Sequence, residues 1–461
     1  MRIKFKNLGA LKQAEFSLGE LTIICGCNNT GKTYAAYALF GFLSFWREVF
    51  SVHIEDEIVV QLLTDGAVII DIQRYSRNAA NILSEGCKEY TKQLPMVFAA
   101  PADRFKDTEF ELILLPEDIE TKGRFERKMR AANADLFSIT KEENSNELVI
   151  TLLVEKENLK IPKDAIVKII SDAIKEIIFG HLFPNPFIAS AERTGAAIFR
   201  KELNFSKNRM LEEMSKSDKN INPLEILFKT FSDYALPVKT NVEFTRQLEE
   251  ISKRSSFISD NHHEILNDFA DIIGGKYTVT RNDELYFEPR GEKIKLTMDE
   301  SSSAVRSLLD LGFYLRHAAK KSDLLIVDEP ELNLHPENQR KVARLLATLV
   351  NLGVKVFITT HSDYIIKELN TLIMLKQNKP HIKRIAEREG YKESELIDSE
   401  KIKVYISEEA LIKLDDGQRK TKCQTLNPAD INAEYGIEAK SFDTTIDTMN
   451  RIQEEIVWGG E

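Results

Sequence analysis

Residues 26–33 read Gly-Cys-Asn-Asn-Thr-Gly-Lys-Thr, a complete G-x-x-x-x-G-K-[ST] phosphate loop. The motif has meaning only between a strand and a helix, and both flanks comply. Leu21-Thr22-Ile23-Ile24-Cys25 is a short apolar, β-branched run that predicts a buried strand. Tyr34 to about Trp46 is apolar nearly all round and predicts a buried helix. Gly26 and Gly31 permit backbone angles that turn successive N–H groups toward phosphate oxygens. Asn29 stands where many such loops carry glycine, and Asn tolerates positive φ better than most residues. Gly26, Asn28, Asn29, Thr30, Gly31, Lys32 and Thr33 are therefore the candidate phosphate cradle. Lys32 would reach the β- and γ-phosphates and the Thr33 hydroxyl would ligate Mg²⁺.

A second set of residues fits the same chemistry. Leu324-Leu325-Ile326-Val327 is an apolar strand that ends in Asp328-Glu329. Carboxylates at a strand's carboxyl end lie where α/β sheets bind ligands. Asp328 would enter a Mg²⁺ shell, which needs hard oxygen ligands, and Glu329 would polarise an attacking water. Thr359-Thr360-His361-Ser362 closes the next apolar strand. A lone histidine at a strand tip is ordinarily a polar cap. Its place one helix and one strand after Glu329 favours a γ-phosphate or water contact instead. Ser301-Ser302-Ser303 stands at the start of a helix expected from about Ala304 to Lys320. Such a serine run is an ordinary N-cap, or, with the helix N–H groups, an anion site for another subunit's γ-phosphate.

The rest of the chain predicts an α/β fold with additions. Ile3–Phe5 and Ala14–Leu18 read as strands joined through Asn7-Leu8-Gly9. Ile58–Leu63 and Ala67–Ile72 flank Asp65-Gly66 and read as a hairpin. Arg77–Lys92 and Leu112–Leu136 read as charged helices. Leu148–Val154 and Leu159–Ile161 read as a second hairpin, and Asp164–Phe179 as an amphipathic helix behind Pro162. Phe187–Ser190 is a short strand leading to the polar elbow Ala191–Gly195. Tyr277–Thr280, Leu285–Phe287 and Ile294–Leu296 form a meander. Strand–helix–strand from Leu324 to Thr359 indicates a parallel sheet. The expected divisions are an amino-terminal lobe at 1–198, a helical insertion at 199–275, a second lobe at 276–370 and a mixed region at 371–461.

With 461 residues, several subdomains are expected. A net charge of −10 argues against a surface coated in basic residues, though not against a local patch. Lys122, Arg124, Arg127, Lys128 and Arg130 form one such candidate, or simply a solvated helix face. The four cysteines form no metal-ligand or disulfide framework, which fits a reducing cytosol. With neither a signal peptide nor a membrane-length apolar run, a cytoplasmic protein is expected.

These ordered parts resemble the ABC-type ATPases of the branch that holds the SMC, RecF and overcoming-lysogenisation-defect (OLD) proteins. The resemblance covers about residues 1–50 and 270–370. It implies an ABC-type P-loop ATPase with ATP and Mg²⁺ as cofactors. Gly26–Thr33 would be the Walker A loop, Asp328 the Walker B aspartate and Glu329 the catalytic glutamate. Glu331–Pro336 resembles the D-loop and His361 the switch histidine. Ser302, Ser303 and Ala304 fall at the signature segment, where Ala304 replaces a glycine. The elbow at Ser190–Gly195 resembles one in OLD-like ATPases and would substitute for an absent glutamine loop; alternatively Arg193 pairs with a surface carboxylate.

The resemblance further implies a homodimer or larger homo-oligomer with ATP sandwiched between protomers. It suggests the ATPase subunit of a two-gene anti-phage system of Septu or PARIS type, with a separate nuclease or toxin as effector. The alternative is a RecF/SMC-type ATPase that binds DNA in repair or recombination. An OLD-type nuclease fits less well: Val404–Glu409 mimics its first acidic strand, but no Asp-x-Asp follows.

Overall fold

The computed structural model describes residues 1–131, 134–154, 162–199, 234–415, 417, 419–437, 448–449 and 451–456. They form two compact units. The larger comprises Phe5–Gly41, Leu94–Asp107 and Asn185–Glu461; the smaller comprises Met1–Lys4, Phe42–Gln93 and Thr108–Pro184.

A six-stranded sheet organises the larger unit. Its order is Lys420–Pro428, Ile402–Lys413, Leu21–Cys25, Lys355–Thr360, Leu324–Asp328, Pro186–Ala189. The last five run parallel, and only Lys420–Pro428 is antiparallel to its neighbour. Every residue of Leu21–Cys25 and Leu324–Asp328 is buried, as near-continuous apolar strands covered on both faces must be. The helices Pro336–Asn351 and Asp363–Leu375 share the buried core beside the sheet. Glu368, 3% exposed, joins them: it accepts from Arg340 Nε and Arg344 Nε, both at 2.6 Å. The expected meander is present as Gly275–Val279, Leu285–Pro289 and Leu296–Thr297.

The region after the serine run differs from a single helix. Ser303–Ser307 and Leu309–Phe313 are short helices, followed by a π turn at Tyr314–Ala318. The interruption follows Ser307, whose carbonyl accepts from Arg193 Nε. Helices Leu236–Arg246, Leu248–Ile251, Phe257–Asn261 and His263–Ile273 occupy the described part of the expected helical stretch, and residues 200–233 lie outside the described residues.

In the smaller unit an antiparallel sheet runs in the order Ala67–Asp71, Glu147–Leu152, Ala134–Lys141, Phe125–Ala131. Two expectations fail here. Asp56–Asp65 is a helix, not a strand. Val59 and Leu62 face inward three residues apart, and Gly66 caps the end at φ 80°. The expected helix over Leu112–Leu136 contains the edge strand Phe125–Ala131, so Arg127, Lys128 and Arg130 line a sheet edge rather than a helix face. Charged residues on an edge strand discourage pairing with other chains. Glu147–Leu152 pairs with Ala67–Asp71 and Ala134–Lys141; its expected partner Leu159–Ile161 lies outside the described residues. Lys163–Phe179 is helical with Pro162 at its N-cap, as expected. Rings of Phe42, Trp46, Phe50 and Phe183 pack together in the core of this unit.

Candidate nucleotide site

The phosphate loop, Asp328, Glu329 and His361 come together in the larger unit, around the carboxyl ends of the parallel strands. In the loop, Gly26, Asn29 and Gly31 adopt φ of 138°, 62° and 102°. A Cβ on Gly26 would lie 2.5 Å from the Ser407 carbonyl oxygen, and one on Gly31 2.7 Å from Leu11 Cγ. Both glycines are thus required twice, by backbone angle and by space. Lys32 begins the helix Lys32–Val49 and is 6% exposed; its ammonium donates to the carbonyls of Gly26 (2.9 Å) and Cys27 (2.6 Å). Thr30 Oγ1 donates to the Cys27 carbonyl at 2.8 Å, and Asn28 and Asn29 are exposed.

The strand Ile402–Lys413, which the sequence did not connect to the loop, props it from beside. Ser407 Oγ donates to the Thr30 carbonyl at 2.9 Å. Its stretch Val404–Ile406 pairs with Ile23–Cys25. In the sequence, Val404–Glu409 reads only as a mimic of an acidic nuclease strand.

Across from the loop, Asp328 is wholly buried. Its Oδ1 accepts from Thr359 Oγ1 and, at 3.4 Å, from Thr33 Oγ1. Its Oδ2 is buried with no hydrogen-bond partner among the described residues. Burial pushes the Asp328 carboxyl up to about 6; the Thr359 hydrogen bond opposes this, and the neighbouring charges of Glu329 and Glu192 add to it. Glu329 follows with φ 53°, a left-handed conformation that costs a side-chain-bearing residue about 1–3 kcal/mol. Its N–H donates to the Thr359 carbonyl at 3.0 Å. His361 Nδ1 lies 3.7 Å from Glu329 Oε1 and 3.3 Å from Glu331 Oε1.

Glu331, placed in the D-loop by sequence, is 6% exposed and turns back to the strand tip. Its Oε1 accepts from Thr360 Oγ1 and from the His361 N–H, each at 2.8 Å. Lys32 faces this whole acidic group. Burial draws its ammonium below the usual lysine range, while Glu329, Asp328 and Glu331 pull it back up.

The elbow after Pro186–Ala189 supplies two residues. Glu192 Oε2 accepts from Tyr37 Oη at 2.7 Å. Arg193, 2% exposed, makes no ion pair with a surface carboxylate among the described residues. Its guanidinium donates to the carbonyls of Ser190, Ser307, Asp328 and Glu329 at 2.7–2.8 Å. The surface-carboxylate alternative for Arg193 is therefore set aside. Ser302 is an N-cap whose Oγ accepts from the Val305 N–H at 3.3 Å. No hydrogen bond among the described residues joins Ser302 or Ser303 to the loop.

A glycine-cradled loop at a helix start, facing a buried aspartate and a turn-borne glutamate, defines the class. This is the α/β fold of a P-loop ATPase. Residues 1–366 match the model of the AAA ATPase domain, well over half of the chain, and the protein belongs to that family. No curated protein matches it. Solved structures with which it shares some likeness include three SMC heads. One is bound to the C-winged helix domain of ScpA (12% identity, 92% of this chain and 97% of that one, TM-score 0.31). Another is the SMC head domain from Thermotoga maritima (10%, 93% and 98%, 0.29). The third, with an extended coiled coil, is bound to the C-terminal domain of ScpA derived from Pyrococcus furiosus (12%, 98% and 98%, 0.30). At such scores the overlap lends no weight to any residue's role. Among the described residues no helix is long and apolar enough to cross a membrane.

Proposed function

We propose that this protein is a cytoplasmic, Mg²⁺-dependent ATP hydrolase whose nucleotide-driven assembly controls a separate effector, a nuclease or toxin, in anti-phage defence. One observation carries the hydrolase reading. A buried aspartate with an unpartnered Oδ2 has its Oδ1 3.4 Å from the hydroxyl of the loop threonine. A hydroxyl and a carboxylate are the hard oxygen pair that Mg²⁺ takes beside phosphate and water. No cluster of three or more His, Cys, Asp or Glu among the described residues holds a metal unaided, which suits an ion completed by the nucleotide. Thr33 and Asp328 would hold the ion, and bound Mg²⁺–ATP would supply the phosphoryl group and its charge neutralisation.

The chain's own groups do the remaining work. The loop from Gly26 to Thr33 binds and orients the phosphates. Lys32 exchanges its bonds to loop carbonyls for phosphate oxygens. Glu329 polarises water at its carboxylate, and His361 orients that water or donates to the terminal phosphate. Ser302 and Ser303, with no hydrogen bond to their own loop among the described residues, serve the nucleotide of a second copy, so two protomers make one site. The carboxyl-terminal region from 371 offers the surface for the effector.

A separate effector is favoured because Val404–Glu409, the stretch that mimics a nuclease strand, is committed to the sheet beneath the loop. The exposed basic residues Arg127 and Lys128 on their edge strand favour the second reading, a DNA-binding ATPase of RecF/SMC type.

The test is elution with and without Mg²⁺–ATP. Glu329→Gln should accumulate a nucleotide-bound dimer or larger assembly, and Lys32→Ala should lose both assembly and ATP protection against heat. Unchanged elution of Glu329→Gln would contradict the sandwich, and DNA or tRNA cleavage by the pure chain would contradict the separate effector.

A further inference from the structure

We infer that Arg193 is a positioning residue that couples the helix starting at Ser303 to the turn carrying Glu329. This rests on the hydrolase reading of that turn. The guanidinium is planar and forked, so it can hold oxygens in several directions at once. Here it does so on three separate segments. Nε donates to the Ser307 carbonyl at 2.7 Å, at the end of the helix whose start holds Ser302 and Ser303. Nη1 donates to the carbonyls of Ser190 and Asp328, both at 2.7 Å, and Nη2 to that of Glu329 at 2.8 Å.

Burying a cation is costly unless its surroundings repay it. Four charge-assisted bonds do part of that. Asp310, three residues beyond Ser307, supplies the strongest opposing charge, although its own buried oxygens have no hydrogen-bond partner among the described residues. On one side Arg193 is thus tied to the serine-led helical segment, by Ser307 and the charge of Asp310. On the other it grips the backbone of the acidic turn.

What it grips is a strained point. Glu329 holds φ 53°, and its carbonyl is fixed by Arg193 Nη2 and by the Leu332 N–H at 3.1 Å. A strained conformation persists only where its surroundings over-determine it. Moving the helix that carries Ser307 would pull the same guanidinium away from Asp328 and Glu329. Engagement of Ser302 and Ser303 is in this way transmitted to the pose of the glutamate, and no donor of Arg193 is spent on the phosphate loop.

Arg193→Lys keeps the charge but offers a point ammonium that cannot span the three segments. In the full chain it should bind Mg²⁺–ATP with KM within about twofold of wild type, while kcat falls at least ~10-fold, as misplacement of a reacting group does. Without nucleotide, hydrogen exchange at the Leu332 amide should quicken in Arg193→Lys while global unfolding stays unchanged. Guanidinium ion should restore part of the kcat of Arg193→Ala.

Unchanged kcat in Arg193→Lys, or a rise in KM and a fall in global stability alongside the fall in kcat, would overturn the coupling role. If the wild type neither binds nor hydrolyses ATP, the hydrolase reading fails by itself. The exchange rate at Leu332 then decides whether Arg193 holds the turn: quickened exchange supports the bracket, and unchanged exchange overturns it.

Discussion

Replacing Asp310 by asparagine should shift stability in the variant's favour as pH rises from 4 to 8. Asp310 is 1% exposed, and burial lifts its carboxyl from the ordinary 3.8 to about 7, against the pull of Arg193. A raised carboxyl holds its proton longer in the folded chain than in the unfolded one. Its contribution is therefore fully present below about pH 4 and is lost progressively as pH climbs through about 7. A rise of roughly three pH units, at about 1.4 kcal/mol each, makes that loss about 4 kcal/mol. Asparagine resembles the protonated acid in shape and polarity, so its fixed packing cost cancels between the two pH values. Urea unfolding followed by circular dichroism at pH 4, 6 and 8 would measure the difference between the two proteins. A gap constant to within about 1 kcal/mol across that range, or one moving against the variant, would refute the burial argument.

Two further substitutions probe the frame of the site. Gly26→Ala would place a Cβ against the Ser407 carbonyl at a φ foreign to alanine, and should cost about 2–4 kcal/mol together with ATP protection, read by thermal unfolding with and without Mg²⁺–ATP. Glu368→Gln would leave Arg340 and Arg344 without their shared carboxylate. It should cost about 2–3 kcal/mol in urea unfolding, less than a fully buried pair because Arg340 reaches solvent.

What was legible in the sequence was local. The loop, the strand before it, the strand ending in Asp328 and the strand ending in Thr360 each announce themselves in consecutive residues. The misread segments are those where a local pattern serves two masters. Ile58-Val59-Val60 is β-branched like a strand, yet Val59 and Leu62 bury one face of a helix. Phe125–Ala131 is charged like a helix surface because an edge strand is also wet. The role of Ile402–Lys413 was illegible for another reason: it pairs with a strand almost 400 residues earlier, and no window of sequence holds that pairing. In the site, Arg193 could be flagged as part of a polar elbow. Its partners are backbone carbonyls, which carry no side-chain signature, so its bracket of the acidic turn could not be read.

The neighbours of the strand Leu21–Cys25 have a consequence for how the chain is made. Both strands that flank it in the sheet, Lys355–Thr360 and Ile402–Lys413, are translated more than 300 residues later. A ribosome therefore releases the five residues of this buried strand and the phosphate loop early, with both backbone edges open. Distant pairings form slowly and leave strand edges exposed meanwhile. The loop gains its Ser407 support only after the strands Pro186–Ala189, Leu324–Asp328 and Lys355–Thr360 have been synthesised, so nucleotide binding is among the last properties the nascent protein acquires.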